Sequence, residues 1–334
     1  MREATVLSVS ERPQLTVATP TYHRPDGLLK ALASVTQGAG HEACRVELVV
    51  SDNSTDTRSE SVVASVFGHW SGPTTYVRHE PSLDKTANQN ACVELASGEW
   101  LLILHDDDYL LPGGVQQLLD GTAKAEPNEC VLLFGVRVVN ERGTRLRHQR
   151  FIRRRRQPPM KAMRRLLTDP SYVRIPAICV RRDAYAAVGP FDTSLYNVND
   201  YDMWLRLFAR FGVTQIPRTI STYVVHSEAA TEDMFDADGI SQIRELFQRA
   251  ASTEMLTPSE LRHRQREFLH HFILAGSLRR LRRGDWHGAN RILRLFTLPD
   301  VSELGWSPRW SPVRACFEVT TALMARGGAH SSRS

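Results

Sequence analysis

The stretch that decides the fold class runs Trp100-Leu101-Leu102-Ile103-Leu104-His105-Asp106-Asp107-Asp108-Tyr109. Its first half is apolar and predicts a short buried β-strand, and three consecutive carboxylates follow where that strand ends. Adjacent carboxylates repel one another, but a divalent cation such as Mg²⁺ or Mn²⁺ prefers hard oxygen ligands and can bridge them to phosphate oxygens. The pattern therefore favours a metal-assisted phosphate site over the alternative, a solvated acidic turn.

Strands and helices alternate upstream of this stretch. Apolar segments typical of buried strands fall at 15–19, 46–50 and 74–78, and a helical pattern fills 85–96. We expect the first strand to stop at Pro20, because proline has no N–H to donate to the ladder. Such alternation predicts a mostly parallel α/β sheet covered by helices, with ligand sites at the carboxyl ends of the strands.

The alternation continues downstream, with strand patterns at 130–139 and 172–180 and a helical pattern that starts near Asp200. Between the two strands, residues 142–156 include eight arginines, and we expect a positively charged loop there. Residues 239–297 have the pattern of a helical region. Within it, Gly284 predicts a helix end and Asp285 the cap of a new helix.

A second acidic cluster, Asn199-Asp200-Tyr201-Asp202, stands at the start of the helix near Asp200. One interpretation is helix capping, because polar and acidic side chains stabilise helix N-termini. The other is catalytic, because a carboxylate held at a helix start is well placed to accept a proton from a substrate hydroxyl. The residues by themselves leave both open.

Size and composition exclude several classes of protein. The chain has 334 residues, 42% of them apolar and 24% charged, with a net charge of +5, as in a soluble globular protein of one or two domains. It has no apolar run of the roughly 18 residues that cross a bilayer and no signal-peptide pattern, so we expect a cytoplasmic protein. The motifs of dinucleotide-binding folds, P-loops and zinc proteases are missing from the sequence.

Five motifs follow one another in a recognisable order. They are Val17-Ala18-Thr19-Pro20-Thr21-Tyr22-His23-Arg24, Val49-Val50-Ser51-Asp52-Asn53-Ser54-Thr55-Asp56, Asn88-Gln89-Asn90-Ala91, His105-Asp106-Asp107-Asp108 with Pro112-Gly113, and Asn199-Asp200-Tyr201-Asp202-Met203-Trp204-Leu205-Arg206-Leu207. Together they resemble the inverting family 2 glycosyltransferases of the GT-A fold. The resemblance covers about residues 14–226.

The resemblance implies an α/β fold of the GT-A (nucleotide-diphospho-sugar transferase) type: a mostly parallel sheet flanked by helices, followed here by a C-terminal helical extension. On this basis we expect a leader at 1–14 and a catalytic domain at 15–235. The nucleotide-binding half of that domain would span about 15–112 and the acceptor half about 113–235. Residues 236–334 would form the C-terminal helical region.

The same resemblance implies a donor site for a nucleotide sugar, with a UDP- or dTDP-sugar expected. The aspartate triplet corresponds to the D-x-D motif of the family, which holds the donor and Mn²⁺ or Mg²⁺, but the register within the triplet stays open. Either Arg24 or Lys85 is expected to reach the pyrophosphate. The expected donor-binding residues are Thr19, Pro20, Thr21, Arg24, Asp52, Lys85, Asp106 and Asp107, and the expected metal ligands are Asp107, Asp108 and His226.

The acidic pair before Trp204 corresponds to the catalytic-base region of the family, with Asp200 the better positional match and Asp202 the second. A base there would deprotonate the acceptor hydroxyl, which attacks from the face opposite the nucleotide and inverts the anomeric configuration. The expected acceptor is a hydroxyl of a glycan, such as a growing polysaccharide, of a glycolipid or of a natural product. This chain departs from the family pattern at His23 and His105, and both changes bear on donor choice.

A different class of function also fits the arginine-rich stretch. A non-catalytic basic protein could use it to bind an anionic membrane or nucleic acid. Phe151 is the only ring in that stretch, so base stacking has little support and no nucleic-acid partner is expected. The two functions also combine, in a glycosyltransferase held peripherally at the inner face of a membrane, and pairing of two chains is a further alternative.

Overall fold

The structure, a computed structural model, describes residues 12–225 and 234–331. It divides into two compact units. Of the described residues, the first unit contains 12–162 and 173–225, and the second contains 163–172 and 234–331.

The first unit is built on a ten-stranded sheet. Its strands are β1 (Leu15–Thr21), β2 (Val46–Asp52), β3 (Thr74–Arg78), β4 (Trp100–Ile103), β5 (Tyr109–Leu110), β6 (Val131–Asn140), β7 (Arg145–Gln149), β8 (Arg155–Gln157), β9 (Ile178–Arg181) and β10 (Val213–Val225). Its helices are α1 (Pro25–Ala39), α2 (Arg58–Phe67), α3 (Lys85–Leu95), α4 (Gly114–Ala123), α6 (Arg182–Val188) and α7 (Asn199–Phe211), and α5 (Pro159–Leu166) leads from this unit into the second.

The strand order is β3-β2-β1-β4-β9-β6-β10-β5, with β7 paired to β6 and β8 paired to β10. Parallel ladders join β3, β2, β1 and β4, and another joins β6 to β10. β9 is antiparallel to both of its neighbours, β4 and β6. The parallel strands on both sides of β9 therefore point the same way. Their carboxyl ends meet at one edge of the sheet, as the strand and helix alternation predicts; these strands are β1, β2, β4, β6 and β10.

The first strand runs through Pro20 to Thr21, so the expected stop at Pro20 is wrong. The carbonyl of Ala18 accepts from Leu104 N on the β4 side, and the carbonyl of Thr21 accepts from Asn53 N on the β2 side. Alternate residues face opposite neighbours, so Pro20 faces the β4 side, as Ala18 does. Because β4 ends opposite Ala18, the missing N–H of Pro20 interrupts no ladder bond.

Two other strand predictions also need correction. The stretch 142–156, expected as a loop, contains β7 and the first two residues of β8. The strand expected at 172–180 is shortened to β9, because a 3-10 helix at Ile175–Ala177 precedes it with Pro176 in its first turn. Proline is favoured at the first positions of a helix, where its missing N–H has no partner to lose.

Helices α1 and α4 cover the sheet with an apolar layer. Val35 of α1 and Leu118 of α4 belong to the same buried cluster as Leu102 of β4 and Phe134 of β6. These side chains have essentially no exposed surface, so the cluster is a closed hydrophobic core. This packing holds the first turn of α1 close to the ends of β1 and β4.

The second unit is helical. It contains α8 (Ala237–Ala251), α9 (Pro258–Leu281), α10 (Trp286–Leu293), α11 (Pro299–Ser302) and α12 (Ser311–Ser331). Asp285 caps α10 by accepting from Gly288 N at 2.7 Å, which confirms the predicted helix start. Arg164, in the stretch 163–172, forms an ion pair of 2.7 Å with Glu260 of α9. Among the described helices none is long and apolar enough to cross a bilayer.

Candidate active site

Asp106 lies where the carboxyl ends of β1 and β4 meet. Thr21 Oγ1 donates to Asp106 Oδ2 at 2.8 Å, and the backbone N–H of Tyr22 points to the same oxygen at 3.4 Å. The side chain is buried, and burial together with the neighbouring carboxyl of Asp107 raises the pKa of Asp106 to about 6. The end of β1 therefore fixes the first carboxyl of the triplet.

Arg24 brings a positive charge to the first two carboxyls of the triplet. Its Nη1 is 3.1 Å from Asp107 Oδ2 and 3.8 Å from Asp106 Oδ1. The guanidinium is nearly half exposed, so it can also face a ligand. Arg24 directly precedes α1, and this is how the sequence Arg24-Pro25 brings a positive charge to the aspartates.

Gly27 in the first turn of α1 explains how the helix can approach so closely. A Cβ added at Gly27 would lie 2.3 Å from the backbone oxygen of Asp106, a distance that real Cβ atoms do not adopt. Glycine is needed here for close approach of two backbones. Sequence reasoning assigned no role in the site to this residue.

Asp108 is the most deeply buried carboxyl of the triplet. Its Oδ1 accepts from the backbone N–H of Val224 on β10 at 2.9 Å, whereas its Oδ2 is buried without a hydrogen-bond partner among the described residues. Burial and the charge of Asp107 raise the pKa of Asp108 well above its usual 3.8, and the positive charge of Arg174 only partly opposes that rise. This carboxyl is unfavourable as an isolated anion and would be stabilised by a cation.

The donor set suits a cation that is shared with a ligand. In residues 12–225 and 234–331, no three His, Cys, Asp or Glu side chains converge as a ready metal cluster. Mg²⁺ is typically held by one or two carboxylates together with substrate phosphates, so a complete protein cluster is not required. The unbonded Oδ2 of Asp108 fits such an ion. His226, the third predicted metal ligand, lies outside the described residues.

The predicted base-binding residues lie at the ends of β1 and β2. Thr19 is buried, and its Oγ1 has no hydrogen-bond partner among the described residues. Asp52 is also buried: its Oδ1 accepts from Ser54 N at 2.8 Å and its Oδ2 from the Tyr76 hydroxyl at 3.0 Å. Burial and this hydrogen bond raise the pKa of Tyr76, which therefore stays a donor to Asp52. Pro20 lies between Thr19 and Thr21 in β1.

Asp200 lies in the first turn of α7 but does not cap it. The capping position is Val198, and no side chain in the described part of the chain caps this helix. Instead, Asp200 Oδ1 accepts from Gln89 Nε2 of α3 at 2.9 Å. Burial lowers the pKa of His105, and the negative charges of Asp107 and Asp200 oppose that shift, so both carboxylates lie near this imidazole.

Lys85, at the start of α3, is exposed, and its Nζ lies 5.6 Å from the centre of the Tyr196 ring. After burial, the largest cause, its positive charge helps to lower the pKa of His105, which directly precedes the triplet. Of the two predicted pyrophosphate contacts, Arg24 contacts the aspartates, whereas Lys85 acts on the neighbouring His105.

Asp202 has different surroundings from Asp200. It is fully buried and forms an ion pair with Arg206, whose Nη2 lies 2.8 Å from Asp202 Oδ2. The guanidinium also donates to the carbonyls of Val188, Gly189 and Pro190. These bonds tie α7 to the turn after α6.

Arg174 and Gln89 are site residues that sequence reasoning missed. The Arg174 guanidinium lies 5.1 Å from the Tyr223 ring centre, and its charge acts on Asp108. Gln89 belongs to a quoted motif but had no role until its bond to Asp200 was visible. The motif could have indicated Gln89. No sequence pattern indicates Arg174, because it lies in the stretch 172–180, which was expected to be a strand.

Comparisons with known proteins find similar sequences and similar folds. An uncharacterised protein of Mycobacterium tuberculosis is 29% identical over 241 residues, 69% of this chain and 72% of that protein. S. aureus TarS 1–349 in complex with UDP-GlcNAc matches with a TM-score of 0.61 and 16% identity over 84% of this chain and 81% of that chain. A mannosyltransferase of Pyrobaculum calidifontis in complex with GDP-Man and Mn²⁺ matches with a TM-score of 0.53 and 18% identity. The match covers 93% of this chain and 86% of that chain.

Both solved structures confirm the predicted GT-A fold with a helical C-terminal region. The chain spans only 43% of the longer TarS chain, so the likeness concerns this part of TarS alone. The family model described as glycosyl transferase family 2 matches residues 16–189. Because that segment is more than half of the sequence, the chain is a glycosyltransferase and belongs to glycosyl transferase family 2.

Proposed function

We propose that this glycosyltransferase moves a sugar from a nucleoside-diphosphate sugar to an acceptor hydroxyl, with inversion, and that it depends on a divalent cation. The observation that carries the proposal is Asp108, a buried carboxyl with an unbonded oxygen at the sheet edge. A carboxyl in this situation gains most from a bound cation. The UDP-GlcNAc complex of TarS supports a UDP-sugar as the first donor to test, with a dTDP-sugar next.

The donor would bind along the ends of β1, β2 and β4. Thr19, Pro20, Thr21 and Asp52 would hold the nucleotide base. Because the bonds of Asp52 to Ser54 and Tyr76 fix its carboxylate, this part of the site is preorganised. Arg24 or Lys85 would neutralise the pyrophosphate, and Asp106 and Asp107 would orient the donor.

Asp107, Asp108 and His226 are the proposed ligands of the cation. Bound there with the diphosphate, Mn²⁺ or Mg²⁺ would stabilise the negative charge that grows on the leaving group. The Mn²⁺ in the mannosyltransferase complex supports this choice of metals. Arg174 would favour the ionised form of Asp108, since its positive charge partly opposes the rise of that pKa.

Asp200 is the proposed general base, with Asp202 second. The Gln89 amide donates to one oxygen of Asp200 and orients the carboxylate, which would accept the proton of the acceptor hydroxyl. The oxygen of that hydroxyl would attack the anomeric carbon from the face opposite the nucleotide, and the product would be inverted. Asp202 is proposed only second because its carboxylate already forms an ion pair with Arg206.

The acceptor is proposed as a hydroxyl of a glycan, a glycolipid or a natural product. A cytoplasmic enzyme in peripheral contact with an anionic membrane would suit a lipid-linked acceptor, and a homo-oligomer stays a proposal as well. The competing function is a non-catalytic basic binding protein. The family membership and the position of Asp108 favour catalysis over that alternative.

The test is ligand-dependent stability. UDP, dTDP, GDP and CDP are each added with and without Mn²⁺ or Mg²⁺, and thermal shift and calorimetry report binding, because a ligand that binds only the folded state raises its stability. We expect one nucleotide to stand out, and only with metal. Asp108→Asn should abolish the metal-dependent response, and the exposed control Asp120→Asn should keep it.

Two results would overturn the proposal. Nucleotide binding that is equal with and without metal would remove the metal dependence. Binding of no nucleotide under any condition would leave the basic binding function as the better account. With an active donor, proton NMR of the first-formed product reports the anomeric configuration, and retention would exclude the direct displacement by Asp200-assisted attack.

A further inference from the structure

The stretch of residues 142–156, here called the arginine segment, has a charge that the proposed sugar transfer does not use. Together with Arg137 of β6 it contains nine arginines and no acidic side chain of its own, Glu141 being the one acid between them. Arg154 is paired with the buried Glu129. The remaining arginines of the segment are exposed.

The arginine segment is folded rather than extended into solvent. β7 pairs antiparallel with β6, and β8 pairs antiparallel with the start of β10. His148 is within 3.0 Å of Thr219 Oγ1, which ties β7 to β10. Arg137 is the cross-strand partner of His148. Burial lowers the pKa of His148, and the positive charges of Arg137, Arg150 and Arg145 lower it further. The arginine segment therefore carries its exposed arginines on and between two short strands that are paired to the sheet.

The arginine segment also contains an exposed apolar side chain. Ile152, in the turn between β7 and β8, is 96% exposed, and Arg150 and Arg153 flank it in sequence. Leu146 of β7 is 49% exposed. Arginines around a protruding apolar side chain are the combination that binds the headgroups of anionic lipid while the apolar group enters the acyl boundary. Nucleic acid would instead favour exposed aromatic rings, and Phe151 is half-buried.

The arginine segment begins beside the candidate active site. Arg145 pairs with Val139, Val139 pairs with Val224, and the Val224 N–H donates to Asp108. Two strand spacings of about 4.8 Å place the Arg145 backbone about 10 Å from Val224. A flat anionic surface that binds the segment would therefore lie next to the sheet edge where the aspartates are.

We propose that the arginine segment is a docking surface for an anionic phospholipid bilayer, with the arginines on the headgroups and Ile152 inserted among the acyl chains. The proposal does not depend on sugar transfer, because the surface is separate from the aspartates and would bind membrane in an inactive enzyme. Each arginine near such a surface strengthens membrane partitioning about fivefold at low salt, so a cluster of this size gives strong but salt-sensitive binding.

The experiment is co-sedimentation of the full chain with phosphatidylcholine vesicles that contain or lack phosphatidylglycerol. We expect binding only with phosphatidylglycerol, and weaker binding as salt is raised. The variant R150Q/R153Q/R155Q/R156Q, which spares Arg154 and its partner Glu129, should lower the partition coefficient at low salt by about a hundredfold or more. The matched control R282Q/R291Q/R294Q/R309Q removes four exposed arginines from the other unit and should leave partitioning unchanged.

A second pair of variants tests insertion. Ile152→Ser should lower partitioning about tenfold at both low and high salt, because the lost contribution is apolar. Leu29→Ser, at another exposed apolar side chain, should have no effect. Circular dichroism melts and the nucleotide response of each variant show whether it is folded.

Three outcomes would overturn the proposal: equal loss in the control variant, no loss in the arginine variant, or binding to vesicles without phosphatidylglycerol. Fluorescence anisotropy with a single-stranded RNA and a single-stranded DNA measures whether the protein binds nucleic acid. Tight oligonucleotide binding that the arginine variant abolishes, without any vesicle binding, would assign the surface to nucleic acid instead.

Discussion

Two carboxylates on α7 stand two residues apart, and the helix separates their functions. Successive helical residues are turned by about 100°, so Asp200 and Asp202 point about 200° apart and cannot face the same ligand. Asp200 accepts from Gln89 of α3, whereas Asp202 is buried against Arg206. Helical geometry alone predicts that only one of the two can be the base, and the contacts indicate Asp200.

We expect Asp200→Asn to fold normally and to lose turnover, because the amide keeps the size of the side chain but cannot accept the proton. The expected loss in kcat is about a hundredfold or more. Asp202→Ala should instead lower the free energy of unfolding by about 2 kcal/mol, because it leaves Arg206 without its buried counterion. Steady-state kinetics and urea melts of both variants measure the two effects.

The control for this pair is Asp202→Asn, which keeps a hydrogen-bond acceptor for Arg206 and should be milder than Asp202→Ala. Turnover per folded molecule should stay near the wild-type value in both Asp202 variants. Near-normal kcat in Asp200→Asn together with loss of kcat in Asp202→Asn would transfer the role of base to Asp202.

The raised pKa of Asp106 predicts that pH has opposite effects on the stability of the fold and on nucleotide binding. Its pKa is raised from 3.8 to about 6, first by burial and then by Asp107. The folded state thus binds the proton more tightly than the unfolded chain, and the free energy of unfolding should fall as pH rises from about 4 to about 6, by at most about 3 kcal/mol. Binding of nucleotide with metal should change in the opposite direction, because an ionised carboxylate is the better partner for a cation.

Chemical denaturation of the ligand-free chain and calorimetric titration of the nucleotide, each across this pH range, check the two trends. Asp106→Asn should flatten the pH dependence of stability and should raise the free energy of unfolding at pH 7. Nucleotide affinity that stays constant between about pH 5 and about pH 7 would contradict the assignment of Asp106 to the donor site.

At the scale of elements, the approach of α1 to the end of β4 depends on Gly27. An added Cβ would lie 2.3 Å from the backbone oxygen of Asp106, so Gly27→Ala must push the helix or the triplet aside. We expect a loss of about 2 kcal/mol in the free energy of unfolding and a clear fall in nucleotide affinity. Thermal melts with and without nucleotide and metal measure both.

Gly68→Ala is the matched control, because Gly68 has an ordinary helical φ of −62° and ends α2 in the same unit. Its added Cβ would come no closer than 3.2 Å to the nearest atom, the Ala64 carbonyl oxygen. Equal effects of the two substitutions would show that the close approach at Asp106 has no special importance.

How far the sequence predicts these elements depends on whether the signal is local. The strand before the aspartates and the helix at Asp200 carry their own periodic patterns and were predicted correctly, as was the gathering of strand ends at one edge. The pairing of β1 beyond Pro20 depends on where β4 ends, which the sequence around Pro20 does not contain. β7 and β8 carry runs of arginine, and they form strands because β6 and β10 offer edges to pair with.

Site contacts are likewise predictable from the sequence only where a local pattern signals them. The resemblance led to Thr21, Asp106 and Asp200, and the structure brings the first two into contact. The pairing of Asp202 with Arg206 has an i,i+4 spacing that could have been noticed in the sequence. The closeness of Arg174 to Asp108 joins two distant parts of the chain, so no local pattern signals it.

At the scale of the whole molecule, sequence order and compact units do not coincide. We predicted a catalytic domain at 15–235, but residues 163–172, inside that range, belong to the second unit. Leu166 and Leu167 are fully buried, and Glu260 pairs with Arg164 and Arg264. Hydrogen bonds from both guanidinium groups lower the pKa of Glu260, so this carboxylate contributes stability at neutral pH that is lost as pH falls through its lowered pKa.

These contacts predict that a chain cut after residue 235 is not stably folded, although it keeps every proposed catalytic residue. The cut removes Glu260 of α9, the ion-pair partner of Arg164, and it leaves the stretch 163–172, with the buried Leu166 and Leu167, without the rest of its compact unit. Glu260→Gln in the full chain is the milder control: it should lower the free energy of unfolding by about 1 kcal/mol and keep nucleotide binding. Size-exclusion chromatography and thermal melts compare the two.

A monomeric cut chain that melts cooperatively and responds to nucleotide with metal would show that 163–172 needs no partner, and the boundary at 235 would then be a true domain boundary. An aggregated cut chain beside a stable Glu260→Gln variant would mean that the helical unit is required for the catalytic unit to fold, because the chain enters it at 163 and leaves it at 172.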